Sequence, residues 1–465
     1  METKTLLFTL LSATVTLQGI GAEKNQDQRP NILFILADDL GKGDLACFGN
    51  TIVKTPNLDR LAKNGILMNH YRAAAPICGP SRVSILTGRY SERSGYRMAL
   101  KNEKPSSLDE PWLAKQLREN GYSTAAFGKW HLGDTNFKDR GFDNWAITSP
   151  GGWSDFYDYY ILSNESPKSK SDGTYATDFL TNSAIRFIEN NASLPSRKPF
   201  FMYLAYNAPH FPLEAPDEEI APYRGKGLPA GTEIVYGMVT RLDKGVGRIL
   251  NILKEKGLLD NTLIVFTSDN GPVLGSYKGL SEKRYNCELA GQKEFMLEGG
   301  INVPCIVYFP KKLGFKGKVF QPSMQAIDWA PTIMDVAGVA PKGKKFDGVS
   351  YLAALEGKSA APAPIRTWCY NKAYLTDISN AALIDGNWKL HRPRIGELNR
   401  LDNKGKIIQN VTPEKWQLFD LSNDPFEKTD LASSQPERIK KMSLVFETWW
   451  KEVLSENVAI SGPVK

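Results

Sequence analysis

Cys78-Gly79-Pro80-Ser81-Arg82 sets a thiol four residues ahead of a guanidinium, with a Pro-Ser turn between, and continues as VSILTGR to Arg89. The chain has five cysteines (Cys47, Cys78, Cys287, Cys305 and Cys369), and only Cys78 has such a setting. If Cys78 is a nucleophile or the precursor of one, and Arg82 its cationic neighbour, the pair could attack an anionic ester. A half-buried thiol beside a helix start would be written with the same letters, so the local sequence leaves both readings open.

Other residues with reactive side chains close apolar runs. Asn31 to Ala37 (NILFILA) ends at Asp38-Asp39, and Ser123 to Phe127 (STAAF) at Gly128-Lys129-Trp130-His131. Phe200 to Ala205 (FFMYLA) ends at Asn207-Ala208-Pro209-His210, and Leu263 to Thr267 (LIVFT) at Ser268-Asp269-Asn270-Gly271. Paired Asp and Asn oxygens suit a hard cation, Ca2+ above all, although turns and helix caps use the same residues. No His/Cys cluster has zinc-ligand spacing. Of the histidines His70, His131, His210 and His391, the middle two close strand-like runs, where an imidazole can exchange protons near neutral pH. His70 is expected to pack and His391 to lie at the surface. Lys129 and Lys293 could neutralise charge developing on a transferred anionic group. The aromatic run Trp153 to Tyr160 (WSDFYDYY) could stack on sugar faces or pack a loop.

Elements must bring these groups together. Apolar runs without alternation predict strands covered on both faces. Helical spacing appears in Pro56 to Asn64, Leu113 to Asn120, Tyr175 to Asn190 and Val235 to Lys256. Gly65, Gly121 and Gly257 after three of them are expected as left-handed C′ residues. Strand–helix alternation predicts an α/β sheet, whose ligands bind beyond the carboxyl ends of the strands. All four polar groups fall at such ends. After about residue 365 the pattern changes to short runs, with a hairpin around Asp385-Gly386-Asn387, a strand from Trp416 to Leu421 and a helix from Pro436 to Leu454. This predicts a small α+β subdomain, residues 365–465, beside a larger α/β domain, 28–364, that carries the reactive residues.

Bulk composition limits the classes. With 465 residues, 42% hydrophobic and 23% charged, the chain can bury a sizeable core without metal or disulfide staples. The net charge of +7 forms no long basic run of the kind that binds nucleic acid. Lys4, an apolar run from Leu6 to Ile20 and Gly21-Ala22 predict a signal peptide over residues 1–22, hence an exported protein without a membrane span after cleavage.

Taken together, the chain resembles the formylglycine-dependent sulfatases from Asn31 to about Leu431. The resemblance rests on CxPSR with LTGR, ADD after the first strand, TPNLDR, GKWHLG, APH, SDNG, K-x4-EGG and the late LFDL with Asp424-Pro425, all in the family's order. It implies an alkaline-phosphatase-like α/β sandwich with a small C-terminal subdomain. It also implies that a maturation enzyme oxidises Cys78 to formylglycine, and that Asp38, Asp39, Asp269, Asn270 and modified Cys78 hold Ca2+. Arg82 and Lys129 would hold the formylglycine hydroxyls, and His131 would be the base for elimination. His210 and Lys293 would contact the sulfate and protonate the leaving alcohol. Two positions depart from the family pattern: Glu294, where glycine is common after the lysine, and Asn302, where arginine is common. The expected activity is hydrolysis of sulfate esters on sulfated glycans, with galactose and N-acetylgalactosamine sulfatases the nearest in look. A phosphatase or phosphodiesterase of the same superfamily and a non-catalytic sulfoglycan-binding protein are the alternatives.

Overall fold

The structure is a computed structural model that describes residues 29–96, 107–151, 154–194, 197–277, 279–308, 317–370, 379–393, 399–401, 407–410 and 415–461. The expected signal peptide and Trp153 lie outside the described residues.

All seven residues of the strand Asn31–Ala37 are buried. Ile32, Phe34 and Leu36 enter one apolar core with Leu86, Leu117 and Trp329, and Leu33, Ile35 and Ala37 a second with Leu58, Leu180 and Leu242. A strand that is apolar on both faces requires a helical layer on each. Pro56–Asn64, Ala176–Ser193 and Ala230–Glu255 supply one layer, and Cys78–Thr87, Leu113–Glu119 and Trp329–Ala337 the other. The result is an α/β sandwich around a ten-stranded mixed sheet.

Five parallel strands form its centre, in the order Thr262–Ser268, Asn31–Ala37, Phe200–Ala205, Ser123–Lys129, Asn144–Ser149. Their carboxyl ends therefore share one edge. Cys305–Tyr308 runs antiparallel between Thr262–Ser268 and Ile66–Met68. Gly121 and Gly257 have the expected positive φ, +84° and +66°. Gly65 does not: its φ is −122°. Space explains this glycine, since a Cβ there would stand 2.3 Å from the Val307 carbonyl oxygen. Ala230–Glu255 begins five residues before the helix expected from Val235, because Gly231 and Thr232 are buried and extend it through tertiary packing.

Arg366–Cys369, Ala381–Asp385, Trp388–Arg392 and Gln417–Asp420 form a separate antiparallel sheet. Met442, Phe446, Trp450 and Val453 of the terminal helix Pro436–Ser461 cover one face, against Leu383, Leu390 and Leu418. On the other, Trp368, Tyr370, Ala382 and Ile384 pack against Ile77, Cys78, Met296 and Ile301. The small sheet is thus a wall behind Cys78. With both faces covered, its third strand has no solvent side, and His391 is fully buried rather than at the surface, its Nδ1 3.1 Å from Gln417 Oε1. Among the described residues, no helix is long and apolar enough to cross a membrane.

Candidate active site

Ala37 and Ser268 are register partners, so Asp38-Asp39 and Asp269-Asn270 leave the sheet side by side. Asp39 N–H donates to Asp269 Oδ1 (3.3 Å), and Asn270 Nδ2 donates to Asp39 Oδ1 (2.7 Å). Ligand atoms of Asp38, Cys78 and Asp269 lie within 4.8 Å of one another, as do those of Asp38, Asp39 and His210.

Cys78 opens the buried helix Cys78–Thr87, where unpaired N–H groups and the helix dipole favour negative charge. One turn later, Arg82 directs Nε and Nη2 to Asp269 Oδ2 (2.9 and 2.6 Å), with Nη2 3.5 Å from Asp38 Oδ1. Its Nη1 donates to the Lys129 carbonyl at 3.1 Å. Lys129 Nζ lies 2.5 Å from Asp38 Oδ2. Lys129 reaches this place through a register shift after Gly128. Gly128 has φ +102°, and a Cβ on it would stand 1.9 Å from the Ala205 carbonyl oxygen, so the bulge that re-aims Lys129 requires glycine.

His131 has φ +59° and Asp39 φ +62°, left-handed geometry in side-chain-bearing residues that the surroundings must hold. Tyr96 Oη donates to the His131 carbonyl (2.7 Å), and His131 Nδ1 is buried without a hydrogen-bond partner. His210 Nδ1 lies 2.7 Å from the Phe211 carbonyl, which places the ring proton there and turns Nε2 toward Asp39 Oδ2 at 3.6 Å. Lys293 Nζ lies 2.8 Å from both Asp39 oxygens. All ten residues singled out in the sequence therefore converge on one edge.

Charge is unevenly distributed among the acids. Burial pushes Asp269 up to about 6 despite Arg82, and Asp38 upward despite Lys129 and Arg82. Burial would raise Asp39 too, but the Lys293 ammonium outweighs it and holds the carboxyl well below its usual range. Lys293 in turn is held above its ordinary value, Asp39 outweighing burial. Burial, then Lys129 and Arg82, lower His131 to about 3; burial and Lys129 also lower His210. Both imidazoles are thus neutral near pH 7. Asp38 Oδ1 and Asn270 Oδ1 are buried without a hydrogen bond. Three carboxylates and an amide oxygen, two of their atoms unsatisfied, fit a hard divalent cation.

Sequence reasoning missed the residues behind the site. Arg72 Nε forks onto both oxygens of Glu298 (2.9 and 3.0 Å), and Lys389 Nζ bridges Glu298 Oε1 (3.0 Å) and Glu427 Oε1 (2.9 Å). Only Glu298 stood in a recognised motif. Asn302, at the second departure, donates to Glu298 Oε2 (2.9 Å) and so belongs to this network. Phe156 and Tyr159 are buried, Phe156 stacked on Tyr175, whereas Tyr157 and Tyr160 are exposed; two of the four described aromatics of that run pack the loop.

A family profile described as Sulfatase matches residues 30–339. Arylsulfatase J of Mus musculus is 30% identical over 464 residues, covering 89% of this chain and 74% of the relative. N-acetylgalactosamine-6-sulfatase of Canis lupus familiaris is 32% identical over 380 residues, covering 75% and 70%. The crystal structure of Ps i-CgsB in complex with k-i-k-neocarrahexaose superposes with a TM-score of 0.78 at 32% identity, covering 91% of this chain and 93% of the other. The profile spans the whole central sheet and every strand end that carries a reactive side chain; the chain belongs to the sulfatase family and is a sulfuric ester hydrolase.

Proposed function

We propose that this hydrolase removes O-sulfate from sulfated carbohydrate, of the galactose or N-acetylgalactosamine type, after Cys78 is converted to formylglycine. Asp38, Asp39, Asp269 and Asn270, with the side chain of residue 78, would hold Ca2+. The observation that carries the proposal is Cys78 at a buried helix start, its sulfur within 4.8 Å of oxygens of Asp38 and Asp269, which Arg82 and Lys129 pair from behind. The named substrates of N-acetylgalactosamine-6-sulfatase and the oligosaccharide bound to Ps i-CgsB support a glycan.

Formylglycine supplies, as its hydrate, one hydroxyl for attack on sulfur and another whose deprotonation expels sulfate. Bound Ca2+ supplies polarisation of the sulfate and acidity for the attacking hydroxyl. The chain does the rest. Arg82 and Lys129 orient the hydroxyls of residue 78. Neutral His131 accepts the proton in the elimination step. Lys293, kept charged by Asp39, donates to the leaving alcohol, and His210 turns Nε2 to the same place, where it must take up a proton before it can give one.

Residues 1–22 act as a signal peptide in this proposal, 28–364 as the catalytic domain and 365–465 as a subdomain, and the exported chain meets a formylglycine-generating enzyme before it folds. The intact mass of the Cys78 peptide tests the modification, which lowers it by about 18 Da. Inorganic sulfate release from sulfated mono- and oligosaccharides tests the reaction. An unshifted mass in active enzyme would remove formylglycine from the mechanism; absence of turnover across the panel would remove the substrate class.

A further inference from the structure

We infer that Asn380, the residue just before the strand Ala381–Asp385 of the small C-terminal sheet, is a positioning residue for Lys293, required because this chain carries Glu294 where the backbone suits glycine. The inference rests on the role proposed for Lys293 as proton donor to the leaving alcohol.

Glu294 has φ +72°, a left-handed conformation that disfavours any side chain. Its peptide groups are tied on both sides. Glu294 N–H donates to the Pro76 carbonyl at 2.8 Å, two residues before Cys78. Its own carbonyl accepts from Asn380 Nδ2 at 2.8 Å. The same Nδ2 donates to the Tyr370 carbonyl at 3.1 Å. An amide facing two carbonyls must present its NH2 end, so the orientation of Asn380 is settled by its partners. Asn380 is itself held rigidly: it is 1% exposed, has φ +57°, donates its N–H to the Pro393 carbonyl (3.2 Å) and accepts from Tyr370 N–H (3.0 Å).

Lys293 N–H donates to the Pro272 carbonyl at 2.9 Å. The Lys293 backbone is therefore fixed from one side by the segment after Asp269-Asn270 and from the other by Glu294, whose strained turn Asn380 clamps. The small sheet reaches the ammonium that faces Asp39 through this amide.

Asn380→Gly deletes the amide and keeps the left-handed backbone, which glycine adopts freely. The expected result is a kcat/KM about tenfold to a hundredfold lower on a sulfated galactose, the scale of a small misplacement of a reacting group. The loss on 4-nitrophenyl sulfate should be much smaller, because that leaving group departs without a proton. Glu294→Gly relieves the strain, so the N380G/E294G double variant should regain most of the lost activity on the sugar, measured against E294G alone. Asn380→Asp, which puts an acceptor against the Glu294 carbonyl, should show the same substrate dependence, and thermal melting of each variant separates folding losses from kinetic ones. Wild-type rates in N380G, or an equal loss on both esters without rescue, would overturn the inference while leaving the catalytic proposal standing. A wild-type enzyme that releases no sulfate from either ester overturns that proposal and the inference with it.

Discussion

Lys389 offers the clearest quantitative test of how the two parts of the molecule are joined. Its side chain is fully buried, with the ammonium 3.0 Å from Glu298 Oε1 and 2.9 Å from Glu427 Oε1. In Lys389→Met, Glu298 keeps the Arg72 fork and the Asn302 amide, so most of the loss falls on Glu427. Glu427 Oε2 still accepts the Glu298 N–H at 2.7 Å, but its charge loses the adjacent ammonium. Removing one partner of a buried ion pair destabilises by about 3–5 kcal/mol. Adding Glu427→Gln removes the carboxylate charge that faced the ammonium while leaving an amide oxygen to accept the same N–H, so K389M/E427Q should recover part of that loss. Urea unfolding of the single and double variants at pH 7 measures both the loss and its recovery. A K389M loss below about 1 kcal/mol, or a double variant no more stable than the single, would refute this account of the network.

The remaining predictions concern the site and its supports. Excess Ca2+ at about a hundredfold over its Kd should stabilise the chelator-treated protein by about 2.7 kcal/mol; a thermal-shift titration in which Asp269→Asn keeps the full Ca2+ effect would contradict the ligand set. Burial pushes the Glu92 carboxyl up to about 7 from 4.5. Its folded state therefore binds the extra proton, and stability should fall by up to about 3 kcal/mol as pH rises between those values. Glu92→Gln should flatten that slope in denaturant unfolding across pH 4 to 8, and an unchanged slope would assign it to other groups. Gly128→Ala drives a Cβ into the Ala205 carbonyl, 1.9 Å away. It should cost about 2–4 kcal/mol and displace Lys129, so melting temperature and sulfate release should fall together.

The parts of this molecule that could be read from sequence are those in which chemistry restricts the residue type. A central strand buried on both faces must be apolar throughout, so the predicted run Phe200 to Ala205 matches the strand Phe200–Ala205 residue for residue, and Asn31–Ala37 likewise. Residues just past the carboxyl end of such a strand are open to ligand, and carboxylates, lysines and imidazoles stand out there against an apolar background. The residues that hold those groups in place are restricted only by position. Asn380 looks like any polar residue at a sheet corner, and nothing near it signals that Glu294, 86 residues earlier, depends on its amide. In the sequence, Trp388 to Leu390 reads only as one arm of a hairpin and His391 as a surface residue. The partners of Lys389 and His391 are Glu298, 91 residues away, and Gln417, 26 away, and no periodicity records them. The departure at Glu294 shows where the two kinds of information meet. A side chain where glycine is common can be seen in the sequence as an irregularity at the reactive lysine. Whether it weakens the site depends on a compensating donor that only the packed small sheet supplies. A natural or designed chain with Glu at this position and no amide at the place of Asn380 should therefore hold Lys293 poorly, however complete its other motifs.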